Sequence, residues 1–591
     1  MDTRPTARPR VKDGHDTVQS EPLTSPPGSV RIFALLVVFR VWNAVQIATS
    51  FSPDEYWQGL EIAHWMAFGF GAITWEWLPG TQIRGFAHPL FFAAGYKALG
   101  YFGVESTPLL QGIIAAVCDY YTWKLSYLFH GPRVSRWVLF ASCMSWFHWF
   151  ALTRALSNSM EGSLLVAALY YWHTRPAKYT LSIALMGMTA VLRPTILPLL
   201  AIHLGLAPPP RRSLARMLAT IVVLAMGFLA ASVSLDAHFY HRLYADMGLP
   251  AGHPSRTSLP LVPLNFVKFN ILHKIAKFYG THPWHWYLTQ GWTQLLGPYL
   301  LVIVPYVVVS CMRSAGSTTR PQRSSAWMIK LMASATAVYS LLAHKEFRFL
   351  ACMVPLAMVY VGQGMAFLTA PSATIGRVAS ASWYRTSTVP RRALVLSALV
   401  ISWALALYTT RWHQRGVLDA SLHLRAVSAN GTADGIRPFR IYWMTPCHSA
   451  PAYAYLGNKN VRLGYLTCDP PIGIPNPDTY LSEMREFYDD VDGALQSWDW
   501  KKRWATSRPM LVGVPSAQAH GLESEPADRL VVFENLLVHH ARTGVLKDYV
   551  ECARFFNSHW HDEETRGGDV IVLCLMPTAD LPDSTSKQQE K

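Results

Sequence analysis

Charged side chains are scarce in this chain of 591 residues. Asp, Glu, Lys and Arg supply 15% of it and hydrophobic residues 51%, whereas a typical soluble domain carries about 25% charged residues. This shortage excludes an ordinary soluble protein. The net charge of +15 does not indicate nucleic-acid binding, because the arginines cluster in short loops between apolar runs and form no basic stripe on a soluble module. The composition predicts a membrane protein.

Cysteine is also rare, and its spacing argues against the common metal sites. The chain has eight cysteines with no CxxC pair and no His/Cys spacing typical of a zinc site, so we expect no bound metal. Four of them lie in or beside apolar runs, where we expect them to pack. The other four lie in the C-terminal region and favour an oxidising compartment. These are Cys447, Cys468, Cys552 and Cys574.

The N-terminus lacks the apolar segment of a cleaved signal peptide. Residues 1–30 are polar, Pro-rich and basic, which predicts a disordered tail. Arg4, Arg8, Arg10 and Lys12 precede the first apolar run, and positive charge beside a membrane span favours the cytosolic side. We therefore expect a cytosolic N-terminus.

About eleven apolar runs are long enough to cross a hydrocarbon core of ~30 Å. They lie near 31–49, 88–104, 108–128, 137–153, 158–174, 179–207, 214–235, 293–312, 326–343, 347–369 and 393–410. An odd count places the C-terminal region in the lumen. Simple alternation, however, sends Arg133 and Arg175 to the lumen, against the charge rule. We favour a surface or re-entrant segment at 88–104 and a split of 179–207 at Arg193, which remove this conflict.

The composition becomes that of a soluble domain near residue 411. Five runs predict strands, and residues 478–498 predict a helix. The runs are "RIYWM", "VRLGYLT", "PMLVGVP", "RLVVFENL" and "DVIVLCLM". The region also contains a glycosylation sequon at Asn430, which would be used in a lumen. Three parts follow: a tail over 1–30, a membrane domain over 31–410 and a small luminal α/β domain over 411–591.

Two adjacent carboxylates, Asp54 and Glu55, follow the first apolar run. The sequence "SPDE" is typical of a helix start, with Ser52 as the N-cap and Glu55 closing a capping box. Asp54 has no such structural task. A carboxylate just outside a span, flanked by aromatic residues, is a candidate general base.

More polar side chains follow in the same predicted luminal segment. On a regular helix, Gln58 and Glu61 share a stripe with the first of these carboxylates, and His64 lies beside it; a solvated helix face is the alternative. Glu76 lies between two tryptophans, where an interfacial aromatic belt is the alternative. Arg84 is a candidate anion contact.

Four ionisable residues, His344, Lys345, Glu346 and Arg348, interrupt two later apolar runs. Such charges are costly near a membrane and need a reason, although a turn between spans is the alternative. The cations among them could bind a phosphate. The loop 265–291 is rich in His, Trp and Tyr, which suit either sugar binding or anchoring at the membrane surface.

Together these stretches resemble glycosyltransferase family 22, the dolichol-phosphate-mannose-dependent mannosyltransferases of the endoplasmic reticulum. The motifs are Asp54-Glu55, "TWEW" at 74–77, "RALSNSMEG" at 154–162, "RPT" at 193–195 and "HKEFRF" at 344–349. "NFVKFN", "FYGTHPWHWYLTQG" and "TPCHSAPAYAYL" are similar to the branch that adds the third mannose of the glycosylphosphatidylinositol (GPI) core in α-1,2 linkage. The resemblance spans residues 35–470 and departs mildly from the usual pattern at Phe70, Ala72 and Phe347.

The resemblance implies an all-α polytopic GT-C fold with its active site at the luminal face and no cofactor. The donor would be dolichyl-phosphate mannose and the acceptor a lipid-linked GPI intermediate. A β-linked donor and an α-linked product imply inversion by one in-line displacement with one carboxylate base. Asp54, with Glu55 beside it, would activate the attacking hydroxyl. Lys345 and Arg348, with His344, would neutralise the departing phosphate.

The remaining polar residues are predicted to contact the acceptor or its sugars. They are Gln58, Glu61, His64, Glu76, Arg84, His282 and His285. Two alternatives are open. One is a sibling enzyme that adds the fourth GPI mannose or acts on the N-glycan precursor, and the other is a transporter, because intramembrane charges also mark permeation paths.

Overall fold

A computed structural model describes most of the chain. The described residues are 26, 28–100, 103–273, 275–314, 326–371, 388–431, 438–474, 479–500, 510–514, 526–540, 543–561 and 563–576. The predicted disordered tail lies almost wholly outside them, as do Thr432 and the side chain of Asn430 in the predicted sequon.

Helices dominate the described chain up to residue 431. They are Ser29–Val45, Glu61–Phe68, Ala87–Leu99, Thr107–Met144, Ser157–His173, Tyr179–Leu192, Leu197–Leu206, Leu214–Asp246, Pro254–Thr257, Val262–Val267, Trp292–Leu296, Leu300–Ser314, Ala326–Ser340, Val354–Leu368, Thr388–Arg411 and Gly416–Gly431. Within the described residues, four helical stretches are long and apolar enough to cross a membrane. These are Arg211–Asp246, Tyr287–Val308, Phe347–Leu368 and Val389–Ala429. The count of eleven spans stays a prediction.

Breaks between the apolar runs fall where Pro and Gly predict them. Thr107–Met144 joins two predicted runs but is kinked at Gly131, whose φ of 72° is left-handed, just before Pro132. The run 179–207 divides at Arg193 into two helices, as expected. In the segment predicted to be superficial or re-entrant, the helix has 13 residues and is too short for a ~30 Å core.

The core of the membrane region lies around one buried helix. Val354–Leu368 is buried along almost its whole length and packs against Thr107–Met144. The same bundle buries an ion pair in which Arg40 Nε lies 2.6 Å from Asp119 Oδ2. Both side chains are fully excluded from solvent, so each charge depends on the other for compensation.

The C-terminal region forms a five-stranded mixed sheet. The strands of the whole chain are β1 (Gly71–Ile73), β2 (Phe439–Trp443), β3 (Val461–Tyr465), β4 (Met510–Val512), β5 (Arg529–Phe533), β6 (Tyr549–Phe555) and β7 (Val570–Leu575). The order is β3-β2-β5-β7-β6, with β3, β2 and β5 parallel and the other pairs antiparallel. Short helices accompany it at Tyr453–Leu456, Glu483–Asp489, Val491–Ser497 and Glu534–His540.

One C-terminal prediction is confirmed with an unexpected partner, and one is wrong. The run "PMLVGVP" supplies the predicted strand, β4, which pairs with β1 and not with the main sheet. The single helix over 478–498 is two helices, because Asp490 leaves helical geometry and its carboxylate accepts the N–H of Gly493. Such a cap starts a new helix.

The four C-terminal cysteines form two disulfides, Cys447–Cys468 and Cys552–Cys574. Spacing alone left this pairing open. Among the described residues, the thiols of Cys118, Cys143 and Cys352 are free. The distribution agrees with a C-terminal region that folds in an oxidising compartment.

The C-terminal sheet shares a hydrophobic core with residues 56–77, which follow the first helix. Trp57 and Trp65 pack in one cluster with Trp443, Tyr453 and Tyr465. The predicted boundary near residue 411 therefore separates two compositions but does not separate two cores.

Glu61 is the polar link in this shared core. Its carboxylate is fully buried and accepts the backbone N–H groups of Ala452, Tyr453 and Ala454 at 3.0, 3.1 and 2.7 Å. These bonds attach the helix Glu61–Phe68 to the C-terminal region. Glu61 thus has a structural task that the sequence did not indicate.

Glu61→Gln is expected to lower the free energy of unfolding by ~1–3 kcal/mol, because an amide replaces one acceptor oxygen and leaves a buried N–H unpaired. Thermal unfolding of the purified variant in detergent measures the effect. Glu105→Gln is the matched control, since Glu105 is exposed and pairs with the half-exposed Arg425. Equal melting temperatures for the two variants would contradict the assignment.

Candidate active site

The chain reaches the candidate site directly after the first helix. Asp54 precedes a π-helical segment, Glu55–Leu60, whose hydrogen bonds run from i to i+5. The predicted capping box is wrong. Ser52 Oγ accepts a hydrogen bond from Arg348, and the carboxylate of Glu55 lies 3.2 Å from the buried Arg154. A buried guanidinium needs an anionic partner more than a helix end needs a cap.

Arg348 connects the two halves of the site. Its Nη1 lies 2.7 Å from Asp54 Oδ2 and donates to Ser52 Oγ at 2.8 Å, and its Nη2 donates to Glu346 Oε1 at 2.8 Å. The side chain of Arg348 is 13% exposed and that of Asp54 is 25% exposed. The candidate base is therefore paired with a cation and still open to solvent.

Glu76 and Arg84 form the adjoining wall. The Nε and Nη2 atoms of Arg84 donate to Glu76 Oε1 at 2.9 and 2.7 Å, and Gln58 Nε2 donates to the same oxygen at 3.2 Å. Burial raises the pKa of Glu76, an effect that the charge of Arg84 opposes and the negative charge of Asp54 reinforces. Three of the predicted acceptor residues thus lie together beside the candidate base.

Glu346 holds the cation side of the cluster. Burial alone would raise the pKa of Glu346, but the charge of Arg348 and a hydrogen bond from His344 outweigh it, so the pKa lies below its ordinary value. His344 Nε2 lies 3.1 Å from Glu346 Oε1. The cluster therefore combines three carboxylates with two guanidinium groups, and each carboxylate has an arginine partner.

Lys345 contacts the loop 265–291, called here the aromatic loop, beside this cluster. The Nζ of the buried Lys345 donates to the backbone carbonyl oxygens of His282, at 2.9 Å, and of Leu342. The side chains of His282 and His285 are exposed. The structure thus brings Lys345 to the predicted sugar-binding loop, while its ammonium group is held by backbone oxygens.

The predicted stripe of Asp54, Gln58 and Glu61 is wrong beyond Gln58. The prediction assumed α-helical periodicity, and the π-helical segment shifts the phase of every later residue. Glu61 consequently faces the C-terminal region. His64 packs between two phenylalanines, with its Nδ1 3.0 Å from the carbonyl oxygen of Phe70, and burial lowers its pKa to about 4.

Two contacts at the candidate site escaped prediction because they are long-range. Arg154 lies in a motif that resembles the family, yet nothing local marks it as the partner of Glu55. Burial raises the pKa of Glu55, and the charge of Arg154 opposes this rise. His448, in the C-terminal region, lies next to Trp57 with 5.0 Å between ring centroids. It lies in the motif "TPCHSAPAYAYL", which supports the family resemblance, but nothing in the local sequence places it beside Trp57.

Known proteins are similar to this chain in sequence or in fold. The sequence profile of the Alg9-like mannosyltransferase family matches residues 31–457. The chain is 34% identical to GPI alpha-1,2-mannosyltransferase 3 of Danio rerio, over 78% of each chain. It is 31% identical to GPI mannosyltransferase 3 of Yarrowia lipolytica, over 94% of this chain and 100% of that one.

A solved structure confirms the predicted GT-C fold. ArnT from Cupriavidus metallidurans, bound to undecaprenyl phosphate, superposes with a TM-score of 0.53 at 11% identity, covering 94% of this chain and 99% of that one. At this identity the likeness concerns the fold alone. With the long apolar helices, it confirms a multi-pass membrane protein. Because the family profile matches most of the sequence, the chain belongs to the Alg9-like mannosyltransferase family.

Proposed function

We propose that this chain transfers mannose from dolichyl-phosphate mannose to the second mannose of a lipid-linked GPI precursor, in α-1,2 linkage, at the luminal face of the endoplasmic reticulum. The relatives named GPI alpha-1,2-mannosyltransferase 3 and GPI mannosyltransferase 3 support the reaction and the acceptor. The observation that carries the mechanism is the partly open pair of Asp54 and Arg348. It combines a base with a phosphate-binding cation.

The pair suggests how the two substrates cooperate. When no donor is bound, Arg348 pairs with both Asp54 and Glu346. A donor phosphodiester is a third anion that competes for the same guanidinium, and its arrival draws positive charge away from Asp54. The carboxylate is then free to accept a proton from the acceptor hydroxyl. Donor binding would thus activate the base.

The reaction itself is one displacement. Asp54 takes the proton of the 2-hydroxyl as its oxygen attacks C1 of the donor mannose on the face opposite the phosphate. The bond from C1 to the phosphate oxygen breaks, and the electron pair leaves with dolichyl phosphate. Arg348, with Lys345 and His344, stabilises the charge that grows on that oxygen. Gln58, Glu76 and Arg84 line the acceptor side.

The direct test is an assay of the purified chain with a polyprenyl-phosphate mannose donor and synthetic GPI acceptors carrying two or three mannoses. We expect product from the two-mannose acceptor alone, with one mannose that an α-1,2-mannosidase removes. Chelation with EDTA should leave the rate unchanged, since no metal is invoked. Product from the N-glycan precursor alone, or from the three-mannose acceptor alone, would overturn the proposed acceptor.

Orientation has its own test at Asn430. A luminal C-terminal region predicts an endoglycosidase-sensitive glycan on the expressed protein, lost in Asn430→Gln. A new sequon placed between residues 371 and 391 is the control, because that segment is predicted to be cytosolic and should stay unmodified. Glycan on the engineered sequon would reverse the proposed orientation and the luminal site with it.

A further inference from the structure

His448 adopts a backbone conformation that side-chain-bearing residues rarely use. It lies between β2 and the helix Tyr453–Leu456, and its φ is 58°, in the left-handed region. Such a conformation costs ~1–3 kcal/mol outside glycine, and it persists only where the surroundings hold it. Residues of this kind cluster at functional sites.

Two constraints hold the loop. The disulfide Cys447–Cys468 fastens the residue before His448 to the segment after β3. On the other side, the indole N–H of Trp57 donates to the carbonyl oxygen of Ala450 at 3.1 Å, and the Trp57 ring meets the His448 ring edge to face at 5.0 Å. The imidazole is therefore fixed between a disulfide and a residue that follows Asp54 by three positions.

Burial favours the neutral form of the His448 imidazole. Burial lowers the pKa of His448 to about 4, and the negative charge of Asp54 acts in the opposite direction. Nδ1 lies 3.6 Å from Cys468 Sγ. No residue in the described part of the chain has a hydrogen bond to Nε2, so this nitrogen is left for a ligand. A neutral imidazole both donates and accepts, which suits a sugar hydroxyl.

The aromatic loop contacts one residue of the same disulfide. The O–H of Tyr279 donates to the carbonyl oxygen of Cys468 at 3.3 Å. The loop predicted to bind sugars and the loop of His448 therefore meet at one covalent crosslink beside the Asp54 cluster. The C-terminal region supplies one wall of the site.

We propose that His448 binds a hydroxyl of the terminal acceptor mannose through Nε2, and that this contact determines which hydroxyl reaches Asp54. The inference rests on the proposed function for the identity of the acceptor. His448 is a specificity-determining contact and takes no part in proton transfer. The Cys447–Cys468 disulfide acts through it, as a positioning element.

The test compares His448→Phe and His448→Gln with wild type, using acceptors that lack one hydroxyl of the terminal mannose at a time. For His448→Phe we expect a ~10-fold rise in acceptor KM, the effect of losing a neutral hydrogen bond, and an unchanged donor KM. For wild type, the acceptor KM should rise by a similar factor on the one deoxy acceptor that lacks the hydroxyl bound by His448. For His448→Phe, removal of that hydroxyl should not raise the acceptor KM further. His448→Gln should recover part of the affinity. His539→Gln, at an exposed histidine of the same region, is the control.

A second arm separates positioning from folding. The double variant Cys447→Ser/Cys468→Ser should raise acceptor KM as His448→Phe does, whereas Cys552→Ser/Cys574→Ser should not. The proposal would be overturned if removal of each hydroxyl in turn raised the acceptor KM of wild type equally. It would also be overturned if His448→Phe lost donor and acceptor affinity to the same extent and melted at a lower temperature. If wild type rejects the two-mannose acceptor, the proposed function fails, and the same comparison on the acceptor it does use still decides the role of His448.

Discussion

Asp54→Asn is expected to reduce kcat by at least ~100-fold while acceptor binding is retained, which is the scale of losing a general base. The amide has nearly the same shape, but it cannot accept the proton of the attacking hydroxyl. It also leaves Arg348 with Glu346 as its remaining carboxylate partner. The rate of the chemical step should therefore fall while the affinity for the acceptor is retained. Single-turnover transfer to the two-mannose acceptor measures the chemical step, and equilibrium binding of that acceptor measures affinity.

Asp492→Asn is the matched control for this substitution, because Asp492 is 56% exposed and pairs with His540 away from the cluster. Glu76→Gln provides the comparison within the site. Full turnover by Asp54→Asn with intact folding would remove Asp54 as the base. If Glu76→Gln alone lost turnover, the base would be Glu76.

Arg348→Ala is expected to lower kcat/KM for the donor by ~100–1,000-fold, since one preorganised donor at a developing charge contributes about this much. The loss has two sources: the phosphate loses its cation, and two carboxylates, Asp54 and Glu346, lose their shared partner. Arg348→Lys should recover only part, because an ammonium group cannot bridge several anions as a planar guanidinium does. Initial rates at varied donor concentration measure the effect.

Arg554→Ala is the control for losing a paired arginine, because Arg554 is 40% exposed and pairs with Glu551 on β6. Lys345→Ala, measured in parallel, shows how much the second predicted cation contributes beyond its backbone contacts. An unchanged donor KM together with an unchanged chemical step in Arg348→Ala would exclude this residue from phosphate binding.

Patterns with local causes were predicted well. The division at Arg193 follows from proline, and four of the five sheet strands follow from apolar runs. β6 was missed because Glu551 and Arg554 lie on an exposed edge strand and break the expected alternation. The partner of β4 was missed because it lies more than four hundred residues away in β1.

The same distinction applies to the site. Asp54, Glu76 and Arg84 were predicted from their local sequence and Arg348 as a charge in a costly position, and the structure brings the four together. The partner of Glu55 and the position of His448 depend on tertiary packing, which a single sequence does not encode locally. The position of Glu61 was predicted wrongly for a different reason. The π-helical segment Glu55–Leu60 changes the direction in which later side chains point, and the sequence pattern does not reveal that segment.

The core shared between Trp57 and the C-terminal strands sets the timing of biogenesis. Residues 56–77 are synthesised early, yet their packing partners on β7 are synthesised about five hundred residues later, which takes roughly 25–100 s at ordinary translation rates. Throughout that interval their aromatic side chains need protection by chaperones. Premature stop codons between Arg348 and Val570 would leave part of this surface uncovered, so such alleles should be cleared by quality control even though they encode every charged residue of the Asp54 cluster.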